Sequence, residues 1–293
     1  MPRGAVRMSG VRETPIAAIV IPTRGRPDYL DVTLASVVPQ AAAVRAEVVV
    51  VSDGAGQPTR EVASRHRARI VSLPARMGVN AARNAGIKAA HSDLIILIDD
   101  DVHAPPGWLD ALLRGVRSMP EYEVFGGPIR ARLEGGGPRA CGRELPPIST
   151  YDFGPGDRDV PFVFGGNTAI RQRAFERIGY FQEELSGRGD EEEWVLRFAT
   201  AGGRIRYLAN AVLDHRRSAS DARLRVLTRA AYGQGKETRR HDVRVGKPRT
   251  IRTELRILAG CAWHTVRRRC AYGIVMGART AGSLRESLTE HRS

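Results

Sequence analysis

The chain has 293 residues and a formal charge of +14, long enough to bury one large α/β core and basic enough to raise the question of an anionic partner. Its three cysteines, Cys141, Cys261 and Cys270, are too few and too far apart to predict a disulfide framework or a zinc knuckle, and a reducing compartment fits them best. No stretch approaches the roughly 18 uncharged apolar residues of a membrane span, and the opening MPRGAVRMSGVRETP lacks the apolar centre of a signal peptide, so a cytoplasmic protein is expected.

The first 15 residues are expected to be a disordered segment. From residue 16 onward the pattern alternates. Apolar β-rich runs fall at 16–23, 46–54, 68–74 and 93–101, and helical spacing lies between them: Leu30, Leu34 and Val37 after Pro27, then Val62 onward, then 81–90. Such alternation predicts a parallel sheet with helices on both faces, and in these sheets ligands bind beyond the carboxyl ends of the strands. Pro105 and Pro106 open a further helix with Trp108, Leu109, Leu112, Leu113 and Val116 at core spacing. Strand character returns at 122–130 and 162–170, separated by a Gly/Pro-rich stretch, 131–160, long enough to be a functional loop. Residues 190–202 read as an amphipathic helix through Trp194 and Phe198, and 204–216 as a last extended segment. The remainder, 219–293, is expected to be a basic helical extension to a catalytic domain over 16–218. Residues 216–293 hold 17 Arg and 2 Lys against 6 acids, so the basic excess belongs to this extension.

The run LIILI at 94–98 ends in Asp99, Asp100 and Asp101. Three adjacent carboxylates repel one another unless a cation offsets them. The bland reading is an acidic turn that caps the following helix. The alternative is a Mg²⁺ or Mn²⁺ site, because such ions take a few carboxylates and complete their octahedron with phosphate oxygens and water. Neither the GxGxxG of a dinucleotide site nor the GxxxxGK[ST] of a P-loop is present. What stands at the strand ends is PTRGRP (22–27), SDG (52–54) and DDD (99–101), which suits a nucleotide held from its sides.

In order, the chain offers VIPTRGRPDYL, VVVSDGAG, GVNAARNAGIKAA, LIILIDDDVHAPPGWL, FGGNTAIRQRAFERIGYFQEEL, GRGDEEEWVLR and AVLDHRRS. Over residues 16 to about 240 this set resembles glycosyltransferase family 2. The resemblance implies a GT-A fold: a Rossmann-like mixed α/β sheet flanked by helices. It implies a metal-dependent, inverting transfer of a sugar from a nucleoside diphosphate sugar, with UDP favoured by family habit and Mn²⁺ or Mg²⁺ as cofactor. By the same resemblance Pro22, Thr23, Arg24 and Arg26 line the base and ribose, and Asp53 accepts from the base edge. Arg83 and Asn84 hold a helix against the pocket. Asp99 and Asp101 are the outer aspartates of a DxD motif at the ribose and metal, with Asp100 between them. Gly165, Gly166 and Asn167 lie next to the sugar, and His215 closes the metal site or touches the diphosphate.

Inverting transfer needs a carboxylate to take the acceptor's proton. The family spacing, counted back from Arg197, puts Glu191 in that place with Asp190 before it, the reverse of the usual Glu–Asp order. These acids also suit the first turn of a helix, with Glu193 paired to Arg197 four residues on. Two other readings use the same features. A sugar-1-phosphate nucleotidyltransferase would need a Gly-rich, cationic triphosphate loop, of which PTRGRP is a poor version. A nucleic-acid-binding protein would show a recognition motif, and none is evident. The expected partners are therefore a nucleotide-sugar donor and an acceptor, without nucleic acid. The basic extension is left for an anionic membrane, an acidic acceptor or a homo-oligomer contact.

Overall fold

A computed structural model describes residues 14–54, 56–185 and 191–290. The catalytic candidate Asp190 and nearly all of the N-terminal segment lie outside them. In chain order the strands are β1 (Ala18–Thr23), β2 (Glu47–Ser52), β3 (Arg69–Ser72), β4 (Leu94–Ile98), β5 (Val102–His103), β6 (Val124–Gly126), β7 (Ile129–Leu133), β8 (Arg158–Val160), β9 (Asn167–Arg171), β10 (Ile205–Tyr207) and β11 (Leu213–Arg217). The α-helices are α1 (Pro27–Ala43), α2 (Gln57–Arg65), α3 (Val79–Ala89), α4 (Trp108–Ser118), α5 (Gln172–Ile178), α6 (Glu192–Thr200), α7 (Leu224–Arg244), α8 (Ile251–Arg268) and α9 (Tyr272–Glu290).

Eight strands form one mixed sheet in the order β3-β2-β1-β4-β9-β6-β10-β8. The β3-β2-β1-β4 half is parallel, as the strand–helix alternation predicts. β9 then runs antiparallel between β4 and β6. A smaller sheet, β5-β11-β7, stands beside it. All five residues of β4 are buried, each worth about 1.5–3 kcal/mol relative to exposure. One core lies under α1 and α4, whose Trp108, Leu109, Leu112, Leu113 and Val116 are all buried as their spacing predicts. The other core lies on the opposite face and takes in Ala82 and Ile87 of α3 and Trp194 and Phe198 of α6.

Three expected runs prove to be broken. The stretch 122–130 is two strands in different sheets, because Pro128 has no amide to give a ladder and turns the chain from β6 to β7. The 204–216 run divides in the same way into β10 and β11. In 162–170 the strand begins only at Asn167, after Gly165 and Gly166. In the extension, α7 packs along α9 where Gly235 faces Arg279 and Gly282 faces Tyr232, so closely that a Cβ at either glycine would lie within 2.0 Å of a backbone oxygen. Cys141 and Cys270, remote in sequence, meet beside His264, a proximity that the dispersed cysteine spacing does not predict. Among the described residues no helix is long and apolar enough to cross a membrane.

Candidate functional site

Strand register builds the site. β1 and β4 run parallel with Val20 opposite Leu97, so Thr23 comes level with Asp100, and the Thr23 hydroxyl donates to the Asp100 carboxylate at 2.5 Å. β1 and β2 pair Thr23 with Ser52, which places Asp53 at the same edge. β4 and β9 pair Ile98 with Asn167, so Asp99 faces Gly166. β5 and β11 pair Val102 with His215, which delivers the histidine beside Asp101. The three polar strand ends thus converge as the strand order implies, and His215 joins them from the smaller sheet.

A cleft of ≈ 480 Å³ opens here, lined by Pro22, Thr23, Arg24, Arg26, Asp53, Gly78, Val79, Ala82, Asp99 and Asp100. That size suits a nucleotide. Five of the residues assigned to base and ribose by resemblance therefore share one wall system. Asp53 is largely occupied: its carboxylate accepts from the amides of Met77 at 2.7 Å and Gly78 at 3.3 Å, fixing the loop that forms the opposite lip. Arg26 spends its guanidinium on Asp100 and on Asp101 Oδ2 at 2.9 Å. It acts first on the aspartates, and only its exposed part faces the cleft.

The aspartates occupy three different environments. Asp100 is buried, and desolvation pushes its carboxyl up to about 6 despite the opposing charge of Arg26 and the Thr23 hydrogen bond. Asp99, part-exposed at the cleft, is also pushed up, by burial within the protein and then by the charge of Asp101, against the opposing charges of Arg83 and His215. Burial works on Asp101 in the same sense but loses: the hydrogen bond and charge of His215, with Arg26 and Arg217, hold its carboxyl far below the usual range. The backbone of this segment is clamped by Thr33 of α1, whose hydroxyl lies 2.8 Å from the Asp100 carbonyl and 2.7 Å from that of Val102.

His215 is buried, with Nδ1 2.9 Å from the Ser149 carbonyl. That carbonyl can only accept, so Nδ1 donates to it and Nε2 is the ring nitrogen turned toward Asp101. Nε2 lies 3.5 Å from Asp101 Oδ2, wider than the roughly 3 Å between neighbouring ligands on an octahedral ion with bonds of about 2.1 Å, so the two would have to close slightly around an ion. A carboxylate and an imidazole side by side, with Asp99 nearby and under-compensated, fit Mn²⁺ or Mg²⁺. Asp99, Asp101 and His215 do not bring three ligand atoms together, and Asp101 Oδ2 is already engaged by Arg26 and Arg217, so an ion here would need oxygens from the substrate as well. Arg217 was missed from the sequence, yet it donates to Asp101 Oδ2 at 2.6 Å. The signal was available, since residues two apart on a strand share a face and Arg217 follows His215 by two.

A second group stands on the other side of Gly165–Gly166. A Cβ on Gly166 would lie 2.6 Å from Asp99 Oδ2, and one on Gly165 would lie 2.9 Å from Arg83 Nη2 and 3.4 Å from the Glu191 carboxyl carbon. The glycines therefore let two carboxylates and a guanidinium close on one short piece of backbone. Glu191 lies 3.6 Å from Arg83 and 3.4 Å from the Gly165 amide. Arg83 is buried in α3 and also donates to Asn80 at 3.0 Å. Asn84, one residue on, accepts from the Phe181 amide at 3.1 Å and donates to its carbonyl and to Glu183, each at 2.9 Å. It fastens α3 to the segment leading toward Glu191. The Glu193–Arg197 pair forms as predicted, through two contacts of 2.8 and 2.9 Å.

Asn167 does not present its side chain to the cleft. It is fully buried, donating to the carbonyls of Pro128 and Ala211 at 3.0 and 2.7 Å and accepting from the Trp108 indole at 3.1 Å. Its work is to tie both sheets to α4, and only the two glycines before it border the site.

The fold and site together define a protein with a nucleotide-sized cleft at the carboxyl edge of a mixed sheet, beside an acidic cluster and a separate carboxylate. Residues 18–179 match the family described as glycosyl transferase family 2, and the chain belongs to that family. It is 29% identical over 199 residues to a pre-mycofactocin glycosyltransferase of Mycobacterium tuberculosis, covering 64% of this chain and 40% of that protein. Over 209 residues it is 27% identical to the validoxylamine A glucosyltransferase of Streptomyces hygroscopicus, covering 61% of this chain and 50% of that one. The chain thus spans half or less of the length of these two relatives. The crystal structure of TarS from S. aureus superposes with a TM-score of 0.56 at 18% identity, over 74% of this chain and 39% of that one, which supports the GT-A architecture.

Proposed function

We propose that the chain is a metal-dependent inverting glycosyltransferase that moves a sugar from a nucleoside diphosphate sugar, with UDP the first candidate nucleotide, to an acceptor hydroxyl. The observation that carries this reading is the placement of Asp99 and Glu191 against adjacent glycines, with the nucleotide-sized cleft and the Asp101–His215 pair beyond Asp99. A sugar lying over Gly165–Gly166 would have its leaving diphosphate toward the aspartates and its acceptor toward Glu191.

In this reading the Glu191 carboxylate takes the acceptor's proton as the acceptor oxygen bonds to the anomeric carbon. The bond from that carbon to the diphosphate oxygen breaks with its electron pair on the departing group. Arg83, 3.6 Å away, orients Glu191 beside the reacting hydroxyl. Arg26 and Arg217 hold the aspartates in place, and Asp101, His215 and Asp99 would hold the ion. When bound, the ion supplies Lewis-acid stabilisation of the charge growing on the diphosphate. Asp190 would position the acceptor or its carboxylate partner.

The basic extension supports a peripheral role. Ile251, Leu255, Trp263 and Val266 of α8 are all exposed, Trp263 and Val266 by 69% and 78%, and helical geometry puts them within about 120° of one another. Arg252 shares that stripe, which suits an anionic membrane surface. The enzymatic proposal is tested by calorimetric titration of UDP with Mn²⁺ and in EDTA. Binding should be cation-dependent, and equal affinity in both solutions would defeat the bridging role of the aspartates.

A further inference from the structure

Away from the cleft, the 131–160 stretch meets the turn between α8 and α9. There the side chains of Cys141, His264 and Cys270 bring one ligand atom each to within 4.8 Å of the others, and among the described residues this is the one group of three or more His, Cys, Asp or Glu side chains so assembled. Cys141 Sγ lies 3.4 Å from His264 Nε2. A tetrahedral zinc, with bonds of about 2.3 Å to sulfur and about 2.05 Å to nitrogen, sets that separation at about 3.5 Å. On its far side, His264 Nδ1 lies 3.8 Å from the Glu144 carboxylate, beyond hydrogen-bond length but near enough for a small movement to make the carboxylate–histidine pair common behind metal-bound imidazoles.

The backbone prepares the site. Cys270 is fully buried. It is delivered by the left-handed Arg269, which ends α8 with φ 49°, and the next residue, Ala271, donates its amide to the Arg139 carbonyl at 2.8 Å. Backbone bonds thus hold the two chain segments at the distance the side chains need. A cavity of ≈ 270 Å³ borders His264 and Glu144, on the Nδ1 side of the ring.

We propose that Cys141, His264 and Cys270 bind one zinc ion that staples the 131–160 stretch to the α8–α9 turn. Two thiol protons pass to solvent as the two Zn–S bonds form, so thiolate charge and metal charge cancel. The staple has two consequences for the rest of the molecule. The same stretch supplies Ser149, whose carbonyl sets the tautomer of His215. It also forms one wall of a cleft of ≈ 430 Å³ against Ala231 and Gln234 of α7 and Val275 and Arg279 of α9.

The test is elemental analysis of the purified chain, together with Cys141→Ser, His264→Gln and Cys261→Ser. Wild type and Cys261→Ser should carry stoichiometric zinc, and Cys141→Ser and His264→Gln should lose most of it while keeping wild-type circular dichroism. Cobalt(II) added to the zinc-stripped protein should give the intense visible absorption of a tetrahedral thiolate site, absent in Cys141→Ser. Because Cys141 and His264 are only partly buried, their loss should not unfold the chain. Wild type that takes up neither ion when fully reduced would overturn the assignment. So would an intact mass showing a Cys141–Cys270 disulfide in metal-free protein, or zinc loss in Cys261→Ser equal to that in Cys141→Ser.

Discussion

Replacing Gly166 with alanine is the sharpest perturbation the site offers. Gly166 has no left-handed backbone requirement, so an added methyl meets one obstacle that matters, the Asp99 carboxylate at 2.6 Å, with Ile129 at a tolerable 3.4 Å. Contact of carbon with oxygen at ordinary distance requires Oδ2 to retreat by about 0.5–1 Å, and a misplacement of about 1 Å at a reacting centre costs about 10²-fold in rate. That is close to 2.7 kcal/mol on the barrier, at about 1.36 kcal/mol for each tenfold. Local overpacking should cost the fold a comparable amount, about 1–3 kcal/mol. The assay is release of nucleoside diphosphate from the donor, measured for Gly166→Ala, Asp99→Ala and the double variant. If the methyl acts through Asp99, the double variant should be no slower than Asp99→Ala alone. Wild-type turnover in Gly166→Ala, or a full further 10²-fold loss in the Asp99→Ala background, would refute the reasoning.

Three other outcomes are expected. Glu191→Gln should lower transfer by about 10²- to 10⁴-fold with nucleotide affinity nearly intact; an inactive Asp190→Asn beside an active Glu191→Gln would move the base by one residue. Asp159 sits below the usual carboxylate range, at about 2, chiefly through its hydrogen bond from Tyr122 and then those from Arg204 and Arg206; its stabilising contribution is present above about pH 4 and lost as pH falls toward 2. The carboxylate is 45% exposed, so denaturant titrations of Asp159→Asn and wild type should differ by under about 1 kcal/mol at pH 7, and the gap should close in acid. Flotation with anionic vesicles should carry the chain upward at low salt, and replacing Trp263 and Val266 by serine should abolish it; flotation of the serine variant would place the contact elsewhere.

The parallel half of the fold was legible because its strands are short apolar runs with polar ends, and the ends are what converge. Thr23, Asp100 and Asp53 needed only the rule that strand carboxyl ends share an edge, whereas His215, in the middle of β11, was implied by the resemblance alone. The antiparallel half was less so: whether a run such as 122–130 stays in one sheet depends on Pro128 and on pairings made by distant chain. Residue type without partner information also misplaced emphasis. Asn167, implied to lie beside the sugar, is consumed by Trp108 and two carbonyls, and Arg26 is drawn onto the aspartates. The Cys141–His264–Cys270 group was invisible for the plainest reason, since no local spacing records a meeting between a loop and a helix turn far along the chain.

The central claim, that this cleft turns over a nucleoside diphosphate sugar, is tested most directly by a hydrolysis and transfer screen. Purified chain is incubated with a panel of nucleotide sugars in Mn²⁺, Mg²⁺ or EDTA, and released nucleotide is quantified for wild type and Asp101→Ala. The account predicts release of a nucleoside diphosphate from a subset of donors, dependent on the cation and lost in Asp101→Ala. Failure of every donor in wild type that still binds a nucleoside diphosphate, or equal release in EDTA and in Asp101→Ala, would contradict it.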